Sequence, residues 1–363
     1  MAELGLDDIA RRQIPLSGGS LRKAWEELRD RQKGVRARDA AGVLGVSEAD
    51  LIASLIGDGA TKLKSEGANI IKDVTALGSV MALTRNDHVV HEKIGPYIDV
   101  SIEKAHGLVL GDKIDLRIFP AQWRHALALV EETKDGLRRS IQIFDGAGTA
   151  VHKIYQKPHT DIAAFDRLIA AWTSPDQSPF LDIKMPAKRD DAVNDDVDVA
   201  ALRASWLAMQ DTHEFFGRLR KLKVGRLQAF KHAGEDLARR VSPASLAATL
   251  EGARDSGMAI MVFVGNPGCI QIHKGPVVNL KRMGPWFNVL DPEFNLHLRE
   301  DAIDSAWVVR KPTRDGDVTS LELFDRDGFC FAQLFSARKD GKAEAQAWRD
   351  LLALSPAGEQ AAA

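Results

Sequence analysis

Residues 81–96, MALTRNDHVVHEKIGP, meet a second stretch, residues 261–276, MVFVGNPGCIQIHKGP, when the chain is slid along itself by 180 positions. Met81, Asn86, Gly95 and Pro96 fall on Met261, Asn266, Gly275 and Pro276. The same offset carries Leu116 onto Leu296 and Ala126 onto Ala306. It also carries Ser140, Phe144, Asp145 and Gly148 of SIQIFDGAG onto Ser320, Phe324, Asp325 and Gly328. Near the start of each half the offset becomes 181, with Arg22, Trp25 and Asp30 facing Arg203, Trp206 and Asp211. Apolar positions match apolar ones in between, so the chain is a tandem duplication. Both copies keep one core while functional residues diverge, and the informative positions are those where the copies differ in chemistry.

One copy read outward from this stretch shows its architecture. Upstream, Leu21, Trp25 and Leu28 share a face at helical spacing, and 36–56 reads as two short helices around Gly45-Val46-Ser47. From residue 79 onward the texture changes to short apolar or alternating runs, among them HVVHEKI, DLRIF, ALALVEE and RSIQIFD. Asn-Asp, Gly-Pro, Gly-Asp and Asp-Gly turns separate them. Such runs are hairpin-linked strands, hence an antiparallel sheet, and a helix over 161–172 closes the copy. The expected fold is α+β, a tandem duplication in which each half is a large antiparallel β-sheet with helices packed at one side. The first repeat spans 1–175, a Pro- and Asp-rich linker 176–200, and the second repeat 201–363. The segment 226–250 keeps a helical pattern like that of 36–55.

Composition bounds the class. With 363 residues, 45% of them hydrophobic, the chain buries ample core for two domains. It has no apolar run of the roughly 18 residues that a spanning helix needs, so stable membrane insertion is not expected. The start, MAELGLDDIARRQ, is acidic where a secretory signal would be basic and then apolar. Cys269 and Cys330 show neither ligand nor redox spacing, which fits a reducing cytoplasm. A net charge of −2 argues against coating nucleic acid through bulk charge.

Several motif-like strings weaken on inspection. His88-Val89-Val90-His91-Glu92 has zincin composition in the wrong order, and in a strand residues three apart point to opposite faces. Two half-exposed strand histidines are the better reading. Gly57-Asp58-Gly59-Ala60-Thr61-Lys62 lacks phosphate-loop spacing and ends a helix. Residues 36–55, RARDAAGVLGVSEADLIASL, resemble a helix-turn-helix, although structural helix pairs commonly show that pattern.

The sharpest divergence is Asp211-Thr212-His213-Glu214-Phe215-Phe216, where His213 faces Gln32 of the first copy at the local offset. Read by itself this is a capped helix start with a surface histidine and a solvated basic face. The same group, followed by Arg218, Arg220, Lys221, Lys223 and Arg226, also has what an anionic macrocycle needs. Imidazole can coordinate iron, phenyl rings can pack on a porphyrin, and cations can meet propionates.

DTHEFF, MVFVGNPGCIQIHKGPV at 261–277, FNLHLRE at 294–300, AWVVRKPTRDGDVTSLELFDRDG at 306–328 and AQLFSAR at 332–338 together resemble the cytoplasmic haem-uptake and haem-degrading proteins. This is the HemS/HmuS/ChuS/PhuS-like family, often called hemin-degrading factor. TRNDHVVHEKIG at 84–95 and DLRIFPAQW at 115–123 extend the resemblance to roughly residues 20–356. It implies two similar α+β halves and a haem b (iron protoporphyrin IX) held with the second half. His213 matches the family's axial iron ligand, and Arg117 of DLRIF matches a distal arginine with a catalytic role. Phe119 and Phe263 match aromatic walls, and Lys311, Gln333 and Arg338 match polar contacts to the macrocycle edge. Phe335 stands where the family commonly has Tyr. The copies diverge at these sites too, with Arg117 facing His297 and Lys153 facing Gln333. The resemblance implies a cytoplasmic protein that receives imported haem and traffics it, degrades it to release iron, or both. Its expected partners are an inner-membrane haem importer and a downstream haem acceptor. With no nicotinamide or flavin fingerprint in the chain, degradation would draw electrons from an external donor. The alternative is a haem- or iron-responsive DNA-binding regulator using 36–55.

Overall fold

The computed structural model describes residues 17–134, 136–185, 196–338 and 342–358. The acidic start and part of the 176–200 linker lie outside them. Among the described residues, the first repeat begins with helices α1 (Gly18–Arg31), α2 (Ala37–Leu44) and α3 (Glu48–Ala53), then β1 (Ala60–Lys62) and α4 (Ile70–Val74). Strands β2 (Gly78–Arg85), β3 (Val89–Gly95), β4 (Val100–Ile102), β5 (Gly107–Leu110), β6 (Asp115–Ile118), β7 (His125–Thr133), β8 (Gly136–Phe144) and β9 (Ala150–Thr160) follow, and α5 (Ile162–Trp172) closes it. The second repeat runs α6 (Val199–Leu207), α7 (Glu214–Leu222), α8 (Arg226–Ala233), β10 (Ala238–Val241) and α9 (Ser245–Ser256). It continues with β11 (Ile260–Asn266), β12 (Cys269–Gly275), β13 (Leu280–Met283), β14 (Trp286–Asp291), β15 (Phe294–Arg299), β16 (Ser305–Lys311), β17 (Val318–Phe324), β18 (Cys330–Ser336) and α10 (Gln346–Ala353).

The strands form two large antiparallel sheets. The run β1-β7-β8-β9-β2 of the first repeat is matched by β10-β16-β17-β18-β11 of the second, and β6-β5-β4 by β15-β14-β13. The run ALAL at 126–129 is apolar on both faces because both faces are covered. Ala126, Ala128, Ile141 and Ile143 pack with Ile70, Phe165 and Leu168 of the later helices. Leu127, Leu129 and Phe144 pack with Leu21, Trp25, Leu44 and Leu51 of the opening ones. The second repeat does the same, with Trp307, Val309 and Phe324 against Trp206, Phe215 and Phe230 on one side and Ala306, Leu321 and Leu334 against Leu250 and Trp348 on the other. Helices thus cover both faces of the main run, where sequence patterning placed them at one side.

The described residues fall into two compact units that exchange short segments. One is drawn from Met1–Arg85, Lys93–Ala187 and Asn266–Ile270, the other from Asn86–Glu92, Lys188–Gly265 and Gln271–Ala363. The asparagines of the paired motifs hold the exchanged pieces. In the second unit Asn86 Nδ2 donates to the carbonyls of Gly265 at 3.0 Å and Phe331 at 2.8 Å. In the first unit Asn266 Nδ2 donates to the carbonyls of Arg85 at 2.9 Å and Val151 at 2.8 Å. Arg85 and Val151 are the duplicate positions of Gly265 and Phe331, so the two contacts are the same contact made twice.

One local expectation is corrected. Within 226–250, α8 and the start of α9 are helical as expected, but Gly234, at φ 91°, ends α8, and Ala238–Val241 between them pairs with β16 as strand β10. Pairing with a buried neighbour overrides the helical pattern of this stretch. In element order the counterpart of α2 and α3 is therefore α7 and α8. His213, which caps α7, corresponds to Arg36, which caps α2, rather than to Gln32.

Candidate functional site

Helix α7 begins one residue after His213, where Asp211 organises the turn. Asp211 Oδ1 accepts the His213 backbone N–H at 2.8 Å and lies 2.6 Å from imidazole Nδ1. The His213 N–H is the leading influence that holds the Asp211 carboxyl below its ordinary range. The imidazole is 90% exposed, and the bond at Nδ1 leaves Nε2 as the outward nitrogen. On the next turn Phe215 points into the core, while Phe216 is 59% exposed. Helical spacing puts Arg220 on the outward side with Phe216.

Beneath these aromatics lies a buried charge cluster. Arg226, the first residue of α8, has its guanidinium over Phe216 at 4.9 Å, Phe230 at 5.8 Å and Phe215 at 5.9 Å. Its Nε donates to Glu322 Oε2 at 2.8 Å. Lys311 Nζ donates to Glu322 Oε1 at 2.7 Å and lies 4.8 Å from the centre of the Phe215 ring. Ser320 Oγ donates to the same Oε1 at 3.0 Å. Burial by itself would raise the fully buried Glu322 carboxyl, but Arg226 and then Lys311 pull it down to about 2. Burial moves the Lys311 ammonium the other way, below its ordinary value.

Sheet register continues this cluster toward an apolar floor. Glu322 of β17 stands opposite Gln333 of β18, and Gln333 opposite Phe263 of β11. The Gln333 amide, with its carbonyl turned inward, accepts from Arg226. Phe335, two residues along, packs edge to face on Phe263 with centroids 4.9 Å apart. Arg338 lies two residues past the end of β18 and is half-buried. One unit therefore offers an outward imidazole and an aromatic floor, with a buried cluster in which Glu322 holds Arg226 and Lys311.

Residues 45–172 and 223–354 both match the family described as haemin-degrading HemS/ChuX domain. The chain belongs to that family. It is 40% identical over 335 residues to the hemin transport protein HmuS of Yersinia pestis, covering 92% of this chain and 96% of HmuS. The crystal structure of holo-PhuS, a heme-binding protein from Pseudomonas aeruginosa, superposes with a TM-score of 0.92 at 46% identity, covering 94% of this chain and all of that one. ChuS, an E. coli heme oxygenase, superposes with a TM-score of 0.82 at 38% identity, over 92% and 98% of the two chains.

For a HemS/ChuX-family chain, the expected residues are distributed unevenly. His213, Phe263, Lys311, Gln333, Phe335 and Arg338 belong to the second unit, and Lys311 and Gln333 meet through Glu322 and Arg226. Lys311 is spent inside this cluster rather than presented at the surface. Arg117 and Phe119 belong to the first unit. Arg117 projects from β6 between the buried Leu116 and Ile118 and bonds Asp115 and the Leu116 carbonyl. Phe119, just past the strand, is 37% exposed.

Sequence reading missed Glu322, although the copies marked it. The three positions Glu131, Gln142 and Lys153 of the first copy become Lys311, Glu322 and Gln333 in the second. The first unit pairs Lys153 with Glu48 on α3, so the helix carries the anion and the strand the cation. In the second unit Arg226 on α8 carries the cation and Glu322 on the strand the anion. The histidines of the HxxHE string separate as expected of a strand. His88 bonds Asp325 at 3.0 Å, and His91, buried rather than half-exposed, packs on Phe294. The α2 and α3 helices of the helix-turn-helix-like segment bury Ala40, Ala41, Leu44, Leu51 and Ile52 in the core.

Proposed function

We propose that this chain binds haem b through His213, receives it in the cytoplasm from an inner-membrane importer, and passes it on or degrades it to release iron. The observation that carries the reading is the outward imidazole of His213 with its other nitrogen tied to Asp211. A carboxylate on Nδ1 fixes the ring's orientation and tautomer and raises the basicity of Nε2 toward a metal. Phe216, Phe263 and Phe335 offer apolar surface of the kind a porphyrin covers. Arg220, outward with Phe216, and the half-buried Arg338 supply cations suited to two propionates. Phe335 supplies no phenolic donor.

Both outcomes for the cargo have support. The Yersinia relative is a hemin transport protein, and the E. coli relative is a heme oxygenase. Haem supplies the redox-active iron. Arg117, proposed as the catalytic residue on its match to the family's arginine, would supply a cation able to stabilise negative charge developed in the reaction. Ring cleavage would need an external electron donor. No described helix is long and apolar enough to cross a membrane.

Titration of purified protein with ferric haem tests the assignment. His213→Ala is expected to lose the native spectrum and weaken affinity while keeping its thermal transition, and unchanged absorbance and affinity would reject His213 as ligand. With haem loaded and a reductant and oxygen added, loss of the main porphyrin absorbance with release of iron marks an enzyme. Intact haem that transfers to an acceptor marks a carrier.

A further inference from the structure

The first unit buries a directional chain of polar groups that the second unit does without. Tyr97 Oη lies 2.6 Å from His152 Nε2, and His152 Nδ1 lies 2.8 Å from Thr84 Oγ1. Thr84 donates onward to Cys269 Sγ at 3.6 Å. The imidazole stacks on Trp123, with centroids 6.0 Å apart and planes 26° from parallel. Trp123 also lines a cavity of about 290 Å³ with Ser65, Glu66, Asn69, Glu103 and Lys104. At the duplicate positions of Tyr97, His152, Thr84, Cys269 and Trp123 stand Val277, Ala332, Val264, Val89 and Ile303. All five are in the apolar core of the second unit.

The duplication separates what the fold needs from what it merely carries. One sequence folds the same arrangement twice, once with five apolar residues, so the architecture does not need the polar chain. Burying a phenol, an imidazole, a hydroxyl and a thiol costs more than burying apolar residues unless each finds a partner. Here each does, and in one consistent direction. With His152 neutral, its Nε2 accepts the Tyr97 proton and its Nδ1–H is donated to Thr84.

We propose that Tyr97 and His152 form a redox-active pair, which a one-electron oxidant reaches through Trp123 from the cavity at Ser65–Asn69. In the step, Tyr97 loses one electron to the oxidant and its phenolic O–H bond breaks. The proton moves along the 2.6 Å hydrogen bond to His152 Nε2, leaving a neutral tyrosyl radical, an imidazolium and a one-electron-reduced oxidant. Return of an electron from a reductant reverses both movements. The co-reactant is a one-electron oxidant strong enough for a phenol, such as an oxidised metal complex. Proton transfer without electron transfer is closed, because burial pushes the Tyr97 phenol well above its ordinary range and lowers His152 to about 3. An oxidised phenol is a far stronger acid than imidazolium, so losing the electron opens the transfer. The site stands independently of the haem reading.

The chain has two tyrosines, Tyr97 and Tyr155, which makes the test specific. Haem-free full-length protein is oxidised by photogenerated tris(bipyridine)ruthenium(III), frozen and read by electron paramagnetic resonance, with ring-deuterated tyrosine to identify the signal. Native protein and Tyr155→Phe are expected to give a tyrosyl signal that Tyr97→Phe loses. His152→Leu, which follows the apolar chemistry of the other repeat, is expected to keep the fold and lose the long-lived radical. Trp123→Leu is expected to lower the radical yield. Thermal transitions equal to native establish that each variant folds. A tyrosyl signal that survives Tyr97→Phe, or a lifetime unchanged in His152→Leu, overturns the proposal and leaves the network a structural one.

Discussion

Glu322→Gln removes one charge from the centre of the second unit and changes almost no volume. The ordinary carboxyl value of 4.5 falls to about 2 in this site. At about 1.4 kcal/mol per pH unit, the ionised carboxylate contributes about 3 kcal/mol of stability at neutral pH. Glu322 is fully buried, so solvent screening takes little of this away. The variant leaves Arg226 and Lys311 as buried cations without their anion, a loss that elsewhere costs about 3–5 kcal/mol. A drop of about 3 kcal/mol in unfolding free energy is therefore expected, read by urea titration at pH 7. The midpoint of thermal unfolding should fall by roughly 6–12 °C for a unit of this size. The sign with pH follows from a depressed folded value. The stabilisation is complete above pH 4.5 and is lost as pH falls toward 2, so the native and variant curves should converge over that window. Removing one cation as well, in Glu322→Gln with Lys311→Met, should recover part of the loss. A difference below about 1 kcal/mol at neutral pH, or one independent of acid, would refute the view that these cations depend on this carboxylate.

The remaining predictions concern the two units separately. Because the capping position of α2 is Arg36 where α7 has His213, haem titration should saturate at one tight equivalent per chain, and two equal equivalents would contradict the proposed division of labour. Arg117→Ala should leave His213 ligation intact yet change the spin or hydroxide equilibrium of ferric haem and speed haem loss. Identical pH-dependent spectra and release rates would remove Arg117 from the site. Burial lowers the fully buried His152 from 6.5 to about 3, so its protonation favours the unfolded chain: the cost is absent above pH 6.5 and grows as pH falls toward 3. The full effect is on the order of 5 kcal/mol. His152→Ala should flatten the acid limb of the stability curve between those values, and a limb as steep as native would assign it to other groups.

The duplication, the strand sequence and the helix starts were legible because each is written in local periodicity or in repetition at one offset. Two short helices around Gly45-Val46-Ser47 and a helix close to 161–172 needed only neighbouring residues to specify them. His213 stood out because its copy partner is not a histidine, under either alignment of the repeats. Within 226–250 only Ala238–Val241 misled, because a short strand between two helices takes its identity from a partner distant in sequence. Glu322 carried no motif, and its importance comes from Arg226 and Lys311, which lie 96 and 11 positions away and meet it only in the fold. The exchange of Asn86–Glu92 and Asn266–Ile270 between the units was equally invisible. Asn86 reads as a turn residue and Asn266 as its repeat partner, and only the fold shows that their amides bind carbonyls of the opposite repeat. A chain encodes its local propensities in adjacent residues, whereas a buried charge, a shared proton or an exchanged strand is decided by which distant groups remain to satisfy it once water is gone.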